Sequence, residues 1–226
     1  MAHRVKPVRS IGSIDRSEDC RDCNNCRRGN VLKQVCMLLA GCLWIAPALS
    51  QSVAENPPQA PITSSELIDA LGLEGHVEGG YFRRTYEATT APRVDTEHGS
   101  RFSMTSIFYL LTREGPVGHF HLNRSDIVHY FQSGDPIDYF LIHRDGHLEQ
   151  VTMGPDPRLG HVLQLTVAGG VWKASRLHAN GRAGFGLISE AVSPGFDYND
   201  MTLGVRNTLK QAFPEHAELI TELSRQ

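Results

Sequence analysis

The sequence predicts an all-β domain, a sandwich or barrel of short strands, with a short helix before it and helices after it. Three observations predict it. Apolar residues recur with period two through most of residues 102–192, turn-forming clusters interrupt them at a regular cadence, and no long helical stripe alternates with the strands. The 226 residues are 40% hydrophobic and 21% charged with a formal net charge of −3, enough apolar material for one core. The same balance excludes a disordered chain, a basic nucleic-acid module and a multi-span membrane protein.

Residues 1–50 read as a leader and export signal. They hold 8 Lys/Arg against 4 Asp/Glu, whereas residues 51–226 hold 14 against 21, a balance of −7, so charge marks a boundary near residue 50. All five cysteines (Cys20, Cys23, Cys26, Cys36 and Cys42) precede that boundary, which leaves the rest of the chain no disulfide and no thiolate. The CxxCxxC spacing of the first three is that of a metal site, but no fourth ligand follows in a foldable context. Arg27, Arg28 and Lys33 precede an apolar run over residues 35–49, closed by Ala48-Leu49-Ser50. That is the order of a secretory signal cleaved near Ser50. Export to the periplasm or the exterior is expected; the alternative is an uncleaved membrane anchor, against which the run is shorter than the roughly 20 residues that span a bilayer. A Pro-rich linker, residues 51–62, leads to a single domain over 63–226.

The domain opens on a capping box, Thr63-Ser64-Ser65-Glu66, followed by the stripe Leu67, Ile68, Leu71 and a stop at Gly72. Strands are expected over 102–111, 118–122, 127–132, 137–143, 147–153, 161–167, 171–177 and 185–192. Between them lie turn sequences, of which Asp145-Gly146 is the sharpest hairpin signal. Pro214 and the stripe Ala217, Leu219, Ile220, Leu223 place a helix at the end, packed on the barrel or on a partner.

Chemistry concentrates in Gly118-His119-Phe120-His121, followed by Asp126 and Tyr130. In a regular strand residues i and i+2 share a face, so His119 and His121 are expected to point together into the lumen, with Asp126 arriving across a turn. The same parity puts Val128 and Tyr130 inside with Asp126 and leaves His129 outside. Two imidazoles and a carboxylate at one depth form a metal-ligand set.

The segment resembles the first motif of the cupins, the double-stranded β-helix jelly rolls, with Asp126 where that family carries Glu and Gly134 closing the motif. The resemblance is closer to the cupin type 5 group, a domain of unknown function. Its motifs are similar to His76-Val77-Glu78-Gly79-Gly80-Tyr81-Phe82-Arg83, Ser125-Asp126, Gly134-Asp135-Pro136, Ala168-Gly169-Gly170-Val171-Trp172-Lys173 and Ser193-Pro194-Gly195-Phe196-Asp197. It covers about residues 63–214 and implies a jelly-roll barrel. It also implies that Glu78 and Tyr81 reach the pocket from a strand at the barrel mouth. In the general second motif a histidine ligand stands where this chain has Lys173, so a full metal shell is not expected. His119, His121 and Asp126 remain an incomplete set for Zn, Mn, Fe or Ni.

A metal-free reading is equally open. His119 or His121 acts as base, Asp126 orients it, and Tyr130 returns the proton, as implied by the superfamily's sugar-nucleotide epimerases. Lys173 and Arg176 supply positive charge, and Trp172 an apolar wall for a ring-shaped substrate. The expected function is an exported isomerase, epimerase or lyase for a small oxygen-rich, carbohydrate-like molecule. The alternative is a non-catalytic small-molecule-binding module. A homodimer paired through edge strands is expected, with no nucleic-acid partner and membrane contact only through the signal.

Overall fold

The computed structural model describes residues 60–225. The expected leader with its cysteines, the signal and linker residues 51–59 lie outside the described residues. Helix α1 (Ser64–Leu71) carries the capping box its sequence predicts. The Thr63 hydroxyl accepts from the Glu66 amide at 3.2 Å, and the Glu66 carboxylate accepts from the Thr63 amide at 2.8 Å. Its Leu67 buries against Leu73, Leu110, Phe185 and Leu187.

Thirteen strands follow among the described residues: β1 (Glu74–Gly75), β2 (Tyr81–Glu87), β3 (Val94–Thr96), β4 (Gly99–Arg101), β5 (Thr105–Thr112), β6 (Val117–Asn123), β7 (Asp126–Gly134), β8 (Ile137–Ile142), β9 (Leu148–Met153), β10 (Gln164–Val167), β11 (Trp172–Leu177), β12 (Phe185–Ser193) and β13 (Met201–Leu203). The β3–β4 hairpin stands alone. The others form a six-stranded sheet, β1-β2-β5-β12-β7-β10, and a five-stranded sheet, β13-β6-β11-β8-β9. Every strand pairing is antiparallel. From β5 onward the chain passes back and forth between the two sheets, leaving one for the other after each strand except β8. This is the winding of a jelly roll.

All eight expected strands are present, β5 to β12. The sequence did not point to β1, β3, β4 or β13, which are only two or three residues long. Strand β8 shows why its sequence is apolar almost throughout. Ile137, Tyr139 and Leu141 join the core between the sheets, while Phe140 and Ile142 join a second core on the outer face. That outer core is closed by α2 (Arg206–Ala212) and α3 (Ala217–Leu223), through Leu209, Ile220 and Leu223. Each such buried aliphatic side chain contributes roughly 2 kcal/mol. The C-terminal stripe therefore packs on the barrel.

Candidate functional site

Five ionisable side chains from five different segments meet in the lumen: Glu78 from the loop between β1 and β2, His121 from β6, His129 from β7, Lys173 from β11 and Glu190 from β12. All are nine-tenths buried or more. Charges so placed need compensation, and here it comes from Lys173, 3.8 Å from Glu190 and acting on Glu78 through its field.

Glu78 arrives on a strap rather than a barrel strand. Gly79 has φ 100°, and a Cβ there would collide with the Val117 carbonyl oxygen, so only glycine lets the strap lie this close to β6. The Glu78 carbonyl then accepts from the His119 amide at 2.6 Å. This fixes the Glu78 side chain with Oε2 at 3.2 Å from His121 Nε2.

The tautomer of His121 follows from its other nitrogen. Nδ1 lies 2.8 Å from the His119 carbonyl oxygen, which can only accept, so Nδ1 carries the hydrogen and Nε2 presents a lone pair. Burial lowers the His121 pKa to about 4 against the opposing pull of Glu78. For Glu78, burial opposes the charge, but His121, His76 and Lys173 outweigh it and hold the carboxyl below its usual range. Two acceptors, Nε2 and Oε2, thus converge on one point, where a single proton or hydroxyl donor satisfies both. Nε2 is buried without a hydrogen-bond partner among the described residues.

The second half of the cluster is a relay. Lys173 Nζ lies 3.2 Å from His129 Nε2, and His129 Nδ1 lies 3.1 Å from Glu190 Oε1. The ammonium can only donate, so Nε2 of His129 accepts and Nδ1 carries the hydrogen, close to the carboxylate but without hydrogen-bond geometry. Lys173 Nζ is also 3.8 Å from Glu190 Oε1. Burial and Lys173 push His129 toward the neutral form, and burial of Glu190 is outweighed by Lys173 and His129, which hold it ionised. Below this relay lie two phenols, Tyr109 and Tyr139, both held neutral by burial and by the neighbouring carboxylates.

A cavity of about 30 Å³ borders Glu78, His121, Asn123, Lys173 and Glu190, space for about two waters. Above it, Phe82, Arg84 and Phe196 are shared with an open groove of about 400 Å³ that also includes Asp197 and Tyr198. The arrangement suits a molecule whose reactive end enters the lumen while its remainder occupies the mouth.

Of the residues expected from sequence, His121, Glu78 and Lys173 are brought together here; the others are not. His119 points away, its half-buried ring near the Leu223 backbone, Arg206 and Arg225. The cause is a bulge: Lys173 pairs with His121 but Ser175 pairs with Gly118, so β6 spends one extra residue and His119 loses the face of His121. Asp126 is exposed and accepts from the Gly169 amide at 2.8 Å, while Ile127 and His129 take the inward positions of β7. Tyr130 is 38% exposed for the same reason. Tyr81 packs beside α1, Trp172 lies on the outer core, and Arg176 pairs with Glu222 at 3.1 Å over the Phe140 ring. His129, Glu190, Tyr109, Tyr139 and Asn123 were missed. The signal for Glu190 was a lone charge in the apolar run Phe185–Ser193.

The donor set does not fit the expected metal. Among the described residues no three His, Cys, Asp or Glu side chains are grouped to hold an ion. His119 and Asp126 face away from His121, and Nε2 of His129 is engaged by Lys173. The ammonium of Lys173 faces the same space.

Two antiparallel sheets wound as a jelly roll around a polar lumen define a cupin-fold protein. The chain belongs to the family described as Cupin superfamily (DUF985), whose profile matches residues 65–204. It is 39% identical over 155 residues to an uncharacterized protein of Saccharomyces cerevisiae, YML079W, covering 64% of this chain and 77% of that one. Among solved structures, a hypothetical protein from Leishmania major is 32% identical with a TM-score of 0.68, covering 73% of this chain and 100% of its own. Protein SO0799 from Shewanella oneidensis is also 32% identical, with a TM-score of 0.66, covering 73% of this chain and 98% of its own.

Proposed function

We propose that this protein is a proton-transfer enzyme of the isomerase, epimerase or lyase kind, acting on a small, oxygen-rich, carbohydrate-like molecule. The observation that carries the reading is the pair of convergent acceptors, Glu78 Oε2 and His121 Nε2 at 3.2 Å, bordering a buried cavity that also holds an ammonium. In the proposed step a C–H bond next to a carbonyl breaks. Its proton goes to the Glu78–His121 pair, and its electron pair moves onto the carbonyl oxygen to give an enolate. Lys173, held by His129 and Glu190, stabilises that oxygen in a low-dielectric site. Return of the proton to the opposite face of the same carbon gives the epimer; return to the neighbouring carbon, with a hydroxyl proton passing between the two oxygens, gives the isomer; and departure of a β-hydroxyl with that proton, as water, gives the lyase product.

The test is solvent exchange. Aldoses, ketoses and sugar acids are incubated with the protein in heavy water and followed by NMR. Incorporation of deuterium at one carbon, abolished by E78Q and H121N in folded protein, supports the reading. A ligand that raises the melting temperature without exchange or conversion overturns it in favour of a binding module.

The proposal includes export. Sequencing the N-terminus of protein recovered from a secreting host is expected to begin just after Ser50; an intact residue 1–50 segment on cytoplasmic protein would remove that part.

A further inference from the structure

We propose that the outer face of the barrel carries a second binding site, beside Trp172, for a nucleotide-type ligand: a planar base joined to a phosphate. This site is separate from the lumen and does not depend on its chemistry. Lys173 and His121 are paired and face inward; the adjacent pair, Trp172 and Leu122, faces outward and lines a groove of about 620 Å³. That volume lies in the range of small-molecule sites.

Two guanidinium groups reach this groove from separate turns, Arg124 after β6 and Arg144 between β8 and β9. Arg84, Arg101, Arg158 and Arg176 each have a carboxylate partner. Among the described residues, neither Arg124 nor Arg144 has one, and no side-chain hydrogen bond engages either guanidinium. The Arg144 group lies over Gly170, where any Cβ would collide with it, so a glycine leaves the room it occupies. Asp200 also borders the groove, but Arg101 holds it through two contacts, at 2.6 and 3.1 Å, which leaves Glu97 as the only uncompensated acid of the lining. Two cations against one acid make a locally positive site on a domain whose overall balance is negative.

The rest of the lining is suited to a ring. Trp172 is half-buried on the outer core, a support that fixes the indole, and its remaining surface borders the groove with Phe213 as a second apolar wall. The Ser125 hydroxyl lies between Arg124 and Asp126 in the chain and adds a neutral donor. Paired forks for phosphate oxygens beside an indole platform are the two halves of nucleotide recognition: charge-assisted hydrogen bonds at one end and stacking at the other.

The experiment titrates AMP into the full-length protein, with calorimetry for affinity and tryptophan emission for place. Saturable binding with quenching is expected. R124A and R144A should each weaken it about tenfold, the loss of one charge-assisted contact. W172F should remove most of the quenching, leaving Trp44 as the only indole. R158A, which removes the same charge on the β9–β10 turn, should leave the affinity unchanged. Adenosine and inorganic phosphate, given separately, should each bind more weakly than AMP. Absence of saturable binding at millimolar AMP overturns the proposal. So does an affinity that R124A and R144A leave unchanged, or that R158A lowers equally.

Discussion

His121 and Lys173 are partners across neighbouring antiparallel strands, and both point into the lumen. One position along, Leu122 and Trp172 are partners as well, and both point out. A single sheet thus separates a buried acid–base cluster from an open cationic groove, and the β6 bulge decides which histidine belongs to the cluster.

That bulge separates the two histidines in space, and the proposed proton transfer uses only His121. H121N should reduce turnover in the solvent-exchange assay by 10²–10⁴-fold, roughly the contribution of a positioned acid–base group. H119A should leave turnover within about twofold and change stability by less than about 1 kcal/mol. Equal losses in the two variants would place both imidazoles in the reaction.

The cluster should make the fold acid-sensitive. His121 titrates near pH 4 when folded and near 6.5 when unfolded, so the unfolded chain takes up the proton first. The stability this contributes is complete above about pH 6.5 and erodes as pH falls toward 4, on the order of 3 kcal/mol for this residue. His129 is shifted in the same direction. Glu78 and Glu190, held below their usual range, contribute stability above the ordinary carboxylate pKa that is lost only at still lower pH. Melting temperatures between pH 7.5 and 4.5 should therefore fall steadily, with a shallower slope in H121N.

Removing the ammonium should reverse part of this dependence. K173M leaves Glu78 and Glu190 buried without their shared cation, at about 3–5 kcal/mol at pH 7. Their carboxyls would then bind protons more readily in the folded state than in the unfolded one. The deficit relative to wild type should shrink as pH falls toward 5. Urea denaturation at two pH values measures it, and K173M/E190Q should be less destabilised at pH 7 than K173M.

Gly118 marks the floor of the lumen. A Cβ there would sit 2.5 Å from Ser175 Oγ and 2.7 Å from the Tyr109 hydroxyl. G118A should cost about 1–3 kcal/mol by overpacking. Adding S175A, which removes the nearer atom, should restore part of that loss in a thermal melt, whereas purely additive losses would locate the strain elsewhere.

The fold was legible because its signals are local. Thr63 and Glu66 form the capping box that their spacing predicts, and Asp145-Gly146 turns between β8 and β9 as such pairs do. The site was legible only in part, because facing depends on register. The i, i+2 rule for His119 and His121 assumes a regular strand, and one extra residue in β6 voids it. Asp126 and Tyr130 were assigned inward from that first choice, and the error carried His129 to the wrong side. Glu190 belongs to β12, 69 positions after His121, and only closure of the sheets brings them together. Glu78 and Lys173 were found through motif position rather than periodicity.

Glu78 enters on a strap held against β6 by the Gly79 conformation and by the His119 amide. The barrel and the Glu78 carboxylate are therefore separable parts. The chassis sets where the imidazoles and the ammonium stand, while a five-residue segment, His76 to Gly80, delivers the remaining group like a stopper. Changing that insert alone would therefore alter the carboxylate presented to the lumen, with no strand of the barrel disturbed.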